Sequence, residues 1–100
     1  MPTIQLRWYT IKAGKMAEFV AGWTNGVRPL RLRHGFTIPG AWVLEERNQF
    51  LWLLAYDGPR DAFEEKDARY YASQERKSLK PDPAPLIEKA ETWFVAQAVP

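Results

Sequence analysis

The side chains of this sequence that could do chemistry are arginines, tyrosines, carboxylates and one histidine. Arg7 and Tyr9 alternate along a segment typical of a β-strand, so both lie on the same strand face. Together they could orient a carboxylate or an oxyanion, or Arg7 could pair with Glu45, Glu91 or an acid of a second subunit. His34 could act as a general base or a haem ligand, or it could cap a helix end.

The composition excludes several classes of catalytic site. The 100 residues include no cysteine and one histidine, which rules out a thiolate nucleophile, a cysteine-ligated metal and a two-histidine metal site within one chain. Ser73 and Ser78 lie in a polar segment with no spacing relation to His34, so no serine triad is expected. The sequence predicts no metal and no cofactor.

Charge and hydropathy argue against nucleic-acid and membrane partners. The net charge is +2, from 14 Lys+Arg against 12 Asp+Glu, which is too balanced for a nucleic-acid-binding surface. The longest uncharged apolar run, residues 50–56, is far shorter than the roughly 20 residues of a membrane helix. The first residues lack the pattern of a signal peptide. We therefore expect a cytoplasmic protein.

Hydrophobic periodicity predicts a strand and then a helix in the first third of the chain. Residues 3–11 alternate with period two. From Met16 onward, apolar residues recur every three or four positions, as in a helix with one buried stripe. Residues 24–26 are weak helix formers and predict a kink or a restarted turn. Gly35 is well placed as the left-handed residue that ends this helix.

The remaining chain completes a β-α-β-β-α-β order. Its segments are predicted as strands over 36–45 and 49–56, a helix over 59–72 capped by Asp57, a loop over 80–85, a helical turn over 86–89 and a strand over 91–99. This order is that of an α+β, ferredoxin-like fold, in which both helices cover one face of a four-stranded antiparallel sheet. We expect a single domain over residues 1–100.

The predicted strand over residues 50–56 has no polar alternation, so both of its faces should be covered. Helices on one side of the sheet leave the other side open. We therefore expect a homodimer in which two sheets pack face to face into a barrel.

Several short motifs resemble the NIPSNAP family of dimeric α/β-barrel proteins. They are Arg7-Trp8-Tyr9, Gly14-Lys15, Glu18-Phe19, Pro29-Leu30-Arg31, His34-Gly35-Phe36, Gly40-Ala41-Trp42, Asn48-Gln49 and Tyr56-Asp57. The similarity covers roughly the first 57 residues, and the rest follows by topology. Gln5, Trp52 and Leu54 differ from the Glu, His and Trp that are common in the family.

The resemblance implies a small pocket between the sheet and its helices. The aromatic walls of such a pocket would be Trp8, Trp23, Trp42, Trp52 and Phe63. The candidate ligand-binding residues are Arg7, Tyr9, His34, Trp42, Tyr56 and Tyr70, and Arg76 could join Tyr70 and Tyr71 as a lid. The strand register, which decides the faces that line the pocket, is not fixed by the sequence.

The function that follows is a small homodimeric protein that binds a small apolar or aromatic molecule between sheet and helices. Whether it is an enzyme is left open. The resemblance to dimeric α/β-barrel proteins implies two alternative functions. One is a cofactor-independent monooxygenase or isomerase of a small aromatic or lactone substrate, and the other is a haem-degrading monooxygenase with His34 as the axial ligand.

Overall fold

Over residues 2–99, which the computed structural model describes, the chain forms one sheet and a set of short helices. The strands are β1 (Pro2–Ile11), β2 (Thr37–Leu44), β3 (Gln49–Asp57) and β4 (Ile87–Val95). The helices are α1 (Met16–Gly22), α2 (Arg28–Arg33), α3 (Arg60–Ala72) and α4 (Gln74–Lys77). The strands pair antiparallel in the order β2-β3-β1-β4, which is the predicted α+β ferredoxin-like fold. Within the described residues, no helix is long and apolar enough to cross a membrane.

The polar face of β1 is the face that the helices cover. Gln5, Arg7 and Tyr9 are buried, whereas Leu6 and Trp8 are half-buried. The antiparallel register places Arg7 opposite Trp52 and Tyr9 opposite Phe50, so these four side chains share one side of the sheet. A buried arginine needs charged partners close to it. Arg7 therefore marks the place between the sheet and the helices where polar side chains meet.

The other side of the sheet carries an apolar surface that none of the helices within residues 2–99 covers. We call it the open face; it consists of Ile4, Leu6, Trp8, Trp42, Leu51, Leu53, Trp93 and Val95, which follow one another across the four strands. Trp42 and Trp93 are 54% and 48% exposed. The homodimer predicted from the sequence would cover this face.

The predicted irregularity of the first helix is present as a π-helical segment, Trp23–Val27, between α1 and α2. The predicted left-handed ending is also present, since Gly35 has a φ of +89°. The Phe36 amide donates to the Arg31 carbonyl and the Gly35 amide to the Leu32 carbonyl, which is the Schellman pattern. This ending turns the chain sharply into β2.

The predicted bounds of two elements in the second half of the chain are wrong. The helical turn predicted over 86–89 lies at Ala84–Leu86, and the last strand is Ile87–Val95 rather than 91–99. The reason is that the Lys12 amide donates to the Leu86 carbonyl, which draws the following residues into the sheet beside β1.

Asp57 does not cap α3. It is the last residue of β3, and the helix begins at Arg60 after Pro59, which has no side-chain group to cap with. The short helix α4 was not predicted from the sequence. It forms because the Ser73 hydroxyl accepts a hydrogen bond from the Arg76 amide at 3.1 Å, which is a typical N-cap.

Candidate functional site

A cavity of about 50 Å³ lies between the covered side of the sheet and the helices. Its walls are mainly aromatic and come from β1, β3, α1, the π segment and α3: they are Tyr9, Phe19, Trp23, Trp52, Tyr70 and Tyr71. Trp23 packs edge-on against Trp52 with 5.3 Å between ring centroids, and Tyr9 packs against Phe19 at 6.0 Å. These edge-to-face contacts fix the shape of the cavity.

The π segment brings two parts of the first helix to the same cavity. Arg31 follows Phe19 by twelve residues, and in a regular helix of 3.6 residues per turn their side chains would point about 120° apart. A π turn holds more residues than an α turn and takes up this excess. Phe19, Trp23 and Arg31 consequently all line the cavity.

Beside this cavity, one carboxylate holds two buried guanidinium groups. Oδ1 of Asp67 on α3 accepts from Nη1 of Arg31 at 2.7 Å and from Nη2 of Arg7 at 3.1 Å. Arg7 also donates from Nε to the Gln5 side chain at 2.7 Å and from Nη1 to the Tyr71 hydroxyl at 2.9 Å. The side chains of Arg7 and Arg31 are 7% and 1% exposed. We call Arg7, Arg31 and Asp67 the arginine cluster.

Both arginines of this cluster are packed against rings. The guanidinium carbon of Arg31 lies 3.6 Å from the centre of the Tyr70 ring, and that of Arg7 lies 5.6 Å from the Trp52 ring. Burial alone lowers the pKa of Arg7. The surrounding Tyr9, Tyr71 and Asp67 outweigh this effect, so the pKa lies above its ordinary value and Arg7 stays charged.

Four buried polar atoms around the cavity have no hydrogen-bond partner among residues 2–99. They are Nε1 of Trp23, Nε of Arg31, Nε1 of Trp52 and the hydroxyl of Tyr70. All four residues line the cavity. Burial raises the pKa of Tyr70 against the opposing effect of Arg31 and Arg76, so its hydroxyl keeps its proton at neutral pH. Three N–H donors and one hydroxyl are therefore buried without a partner on residues that line the cavity.

Tyr71 and Arg76, the residues that the sequence suggested for a lid, line the cavity on the side that we call its rim. Tyr71 is 46% exposed. Arg76 donates to the Asp82 carboxylate at 3.1 Å. Burial lowers the pKa of Arg76, but the hydrogen bond and charge of Asp82 outweigh it and raise the pKa. The rim is thus stabilised by a partly exposed ion pair, which contributes little to stability.

The structure brings three of the six predicted ligand-binding residues to this site. Tyr9 and Tyr70 line the cavity, and Arg7 lies beside it in the arginine cluster. The expected pairing of Arg7 with Glu45 or Glu91 is wrong, because Asp67 supplies the carboxylate.

The other three predicted residues lie outside the cavity. His34 is the C-cap residue of α2; its Nε2 lies 3.3 Å from Glu75, and its ring packs on the outer edge of Tyr70. Trp42 is on the open face. Tyr56 packs against Phe36 and under the Lys66 ammonium group. Of the predicted walls, Trp8 also belongs to the open face, and Phe63 lies in the core next to Phe36.

The sequence reasoning missed Arg31 and Asp67, although each carries a detectable signal. Arg31 lies four residues after Val27 and eight after Trp23, on the apolar stripe of the helix. Asp67 lies four residues after Phe63, on the stripe that continues through Tyr70. A charged residue on each of two buried stripes indicates a buried ion pair between the helices.

Comparison with known proteins gives close matches in fold. A structure of an uncharacterized NIPSNAP domain protein from Burkholderia xenovorans has a TM-score of 0.83 and 23% identity, and the alignment covers 98% of this chain and 95% of that chain. A NIPSNAP family protein from Agrobacterium tumefaciens has a TM-score of 0.84 and 19% identity, over 96% and 92% of the two chains. A putative antibiotic biosynthesis monooxygenase from Bacteroides thetaiotaomicron has a TM-score of 0.73 and 19% identity, over 99% and 91%.

At these identities the solved structures are evidence for the fold alone. A comparison with curated proteins finds no match. The model of the NIPSNAP family matches residues 4–99, which is nearly the whole sequence. The chain therefore belongs to the NIPSNAP family.

Proposed function

We propose that this protein binds a small molecule with an apolar or aromatic body in the cavity between its sheet and helices. The observation that carries the proposal is the presence of four unpartnered buried polar atoms on residues that line one aromatic cavity. A buried donor without a partner destabilises a protein by about 1–3 kcal/mol. Four such groups around one cavity fit a ligand-binding site better than they fit a structural core.

Native mass spectrometry of gently purified protein tests this proposal. The expected result is a fraction of protein that carries extra mass, released by denaturation and identifiable as one small compound. Val27 lines the cavity, so Val27→Phe should fill part of it and abolish the extra mass. Val43→Phe is the matched control, since Val43 is 40% exposed on β2.

Two observations together would contradict the ligand-binding proposal. The first is that no extra mass is found, and the second is that none of a panel of aromatic acids, aromatic alcohols and phenols raises the Tm of the wild-type protein. A ligand that binds the native state must raise the Tm in proportion to its concentration relative to Kd.

We also propose that the protein is a homodimer in which two open faces pack together. What supports this is the continuous run of apolar side chains across all four strands, including two tryptophans that are about half exposed. A patch of this kind on a soluble protein is typical of an interaction surface.

Cofactor-independent oxygenation or isomerisation is a second candidate function. The fold is shared with a protein described as a putative antibiotic biosynthesis monooxygenase. The N–H groups of Trp23, Trp52 and Arg31 would stabilise an oxyanion that forms on a bound aromatic or lactone substrate. The test is substrate-dependent oxygen consumption, or conversion without oxygen for an isomerase. Trp52→Phe should lower kcat while the protein stays folded, and an unchanged rate would contradict this role.

The haem-degrading alternative has less support. His34 lies outside the cavity lining, against the edge of Tyr70 and near Glu75. Its imidazole is therefore not placed to ligate a haem seated in the cavity. Addition of haem should produce no histidine-ligated Soret band, and the appearance of one that is lost in His34→Ala would reverse this conclusion.

A further inference from the structure

The charges beside the cavity do not balance. Arg7 and Arg31 are both buried, and both contact the same oxygen of the single carboxylate of Asp67. Arg76, the other arginine at the cavity, is paired with Asp82. The arginine cluster thus holds one positive charge in excess. Because surrounding rings exclude water, an excess charge here acts on a ligand much more strongly than it would at the surface.

The unused donor of this cluster belongs to Arg31. Each of the three guanidinium nitrogens of Arg7 has a partner: Gln5, Tyr71 and Asp67. Nε of Arg31 has none among residues 2–99, although Nη1 of the same group is fixed by Asp67. Asp67 and the Tyr70 ring therefore hold Arg31 in place, and its Nε–H has no acceptor in the described chain.

The N–H groups of Trp23 and Trp52 complete the donor set. Both atoms are buried, both rings line the cavity, and neither atom has a partner in the described chain. An indole N–H can only donate. Fixed donors without partners require acceptor oxygens. Next to an excess positive charge, a negatively charged acceptor forms the strongest hydrogen bonds with them.

The size of the cavity restricts the charged group. Its volume of about 50 Å³ is well below the roughly 150 Å³ of a cavity that binds benzene. A carboxylate group fits this space. The charged oxygen of a phenolate is attached directly to the ring, so the ring would have to enter the cavity as well. The rest of a ligand must therefore extend towards the rim, where Tyr71 is partly exposed and Arg76 forms an ion pair with Asp82.

We propose that the ligand is a monocarboxylate: its carboxylate binds Nε of Arg31 and Nε1 of Trp23 and Trp52, and its apolar body extends past Tyr71 and Arg76. This inference rests on the proposed ligand-binding function and names the chemical class of the ligand. It requires neither a cofactor nor a bond-forming step.

The experiment compares a carboxylate with its neutral counterpart of the same shape. 3-Phenylpropanoate and 3-phenylpropanamide are titrated into the protein by isothermal titration calorimetry at pH 7. The alkyl spacer lets the head group reach the donors while the ring stays at the rim. Since hydrogen bonds to a charged group are worth more than those to a neutral one, we expect the carboxylate to bind at least about tenfold more tightly.

Variants then identify the side chain that makes the protein bind the carboxylate more tightly than the amide. Arg31→Gln should bring the ratio of the two affinities close to one. Arg33→Gln is the matched control, because Arg33 lies exposed on the same helix and should leave the ratio unchanged. If Arg31→Gln does not fold, Trp23→Phe removes one donor, keeps an aromatic ring and should lower the ratio severalfold.

The possible outcomes separate this inference from the proposed function. Equal binding of the acid and the amide overturns the carboxylate assignment and leaves the ligand-binding function standing. A ratio that is unchanged in the Arg31 or Trp23 variant overturns the assigned donors. Binding of neither compound, nor of acetate, overturns the carboxylate assignment, and absence of retained mass as well overturns the ligand-binding function.

Discussion

Two adjacent tyrosines on α3 differ in what their hydroxyl groups do. The Tyr70 hydroxyl is buried and has no partner in the described chain, whereas the Tyr71 hydroxyl accepts a hydrogen bond from Arg7. Their rings pack against each other with 5.2 Å between centroids. The same substitution at the two positions therefore tests whether the unpartnered hydroxyl is kept for a ligand or for stability.

We expect Tyr70→Phe to raise the free energy of unfolding of the ligand-free protein by about 1 kcal/mol, because a desolvated and unpartnered hydroxyl is removed. Tyr71→Phe should lower it by about 1 kcal/mol, because Arg7 loses an acceptor. Urea denaturation of the two variants measures both changes. A loss of stability in Tyr70→Phe would mean that its hydroxyl has a partner in solution.

The raised pKa of Tyr70 predicts a pH dependence of stability. In the folded protein this hydroxyl holds its proton more tightly than in the unfolded chain, where the pKa is near the ordinary tyrosine value of 10.0. The contribution is fully present below that pH and is lost as the pH rises towards the folded-state pKa. The stability advantage of Tyr70→Phe over the wild type should consequently widen as the pH rises above the unfolded-state pKa. A constant difference across this range would contradict the shift.

At the residue scale, the sequence alone predicts part of the site. Tyr9, Tyr70 and Arg7 were recognised as candidates because polar groups on predicted strands and helices stand out. Arg31 was not, because a charged residue on a helix is usually solvated and only its place on a buried stripe distinguishes it. The sequence wrongly places Trp42 in the pocket, because it does not decide which side of a strand faces the helices.

At the scale of elements, Asp67 joins three parts of the fold. It lies on α3 and contacts Arg31 on α2 and Arg7 on β1. These three elements are far apart in the sequence and meet at this carboxylate. The arginine cluster is therefore a structural junction as well as a part of the cavity wall.

We expect Asp67→Asn to destabilise the protein by about 3 kcal/mol, because it leaves two buried guanidinium groups without a counter-charge. The matched control is Glu65→Gln on the same helix, which breaks the exposed pair between Glu65 and Arg69. That change should cost less than about 0.5 kcal/mol. Similar losses in the two variants, measured by urea denaturation, would show that the junction is not electrostatic.

Most elements of the fold follow from local pattern, and the exceptions have a physical reason. The strands, the broken first helix and its Gly35 ending were predicted because period and turn chemistry agree there. The start of β4 was not, since residues 87–90 carry two charges and an edge strand with one solvated side has little apolar pattern. Its pairing with β1 is a tertiary contact that no local pattern encodes.

At the scale of the whole molecule, the sheet separates two environments. One side holds the cavity and the arginine cluster, and the other is the open face with Trp8, Trp42 and Trp93. The proposed dimer buries the second side without touching the first. Binding of a ligand and assembly of two chains should therefore be separable by mutation.

We expect Trp93→Glu to raise the Kd of the dimer by more than about a hundredfold, because each interface would then bury two unpaired carboxylates. Glu64→Lys, on the exposed part of α3, is the control and should leave the dimer intact. Native mass spectrometry over a range of concentrations measures the effect. A wild-type protein that is monomeric at the highest concentration would contradict the proposed interface.

The π segment has a consequence for how this chain tolerates changes of length. Each residue of a regular helix turns the chain by about 100°, so deletion of one residue within Trp23–Val27 would convert the segment to an ordinary α turn. Arg31 would then follow Phe19 by eleven residues, which in a regular helix places the two side chains only about 20° apart, and Arg31 would still lie on the side that faces Asp67. A helix that is one residue shorter at this point would thus be regular in itself and would still place its arginine beside the cavity.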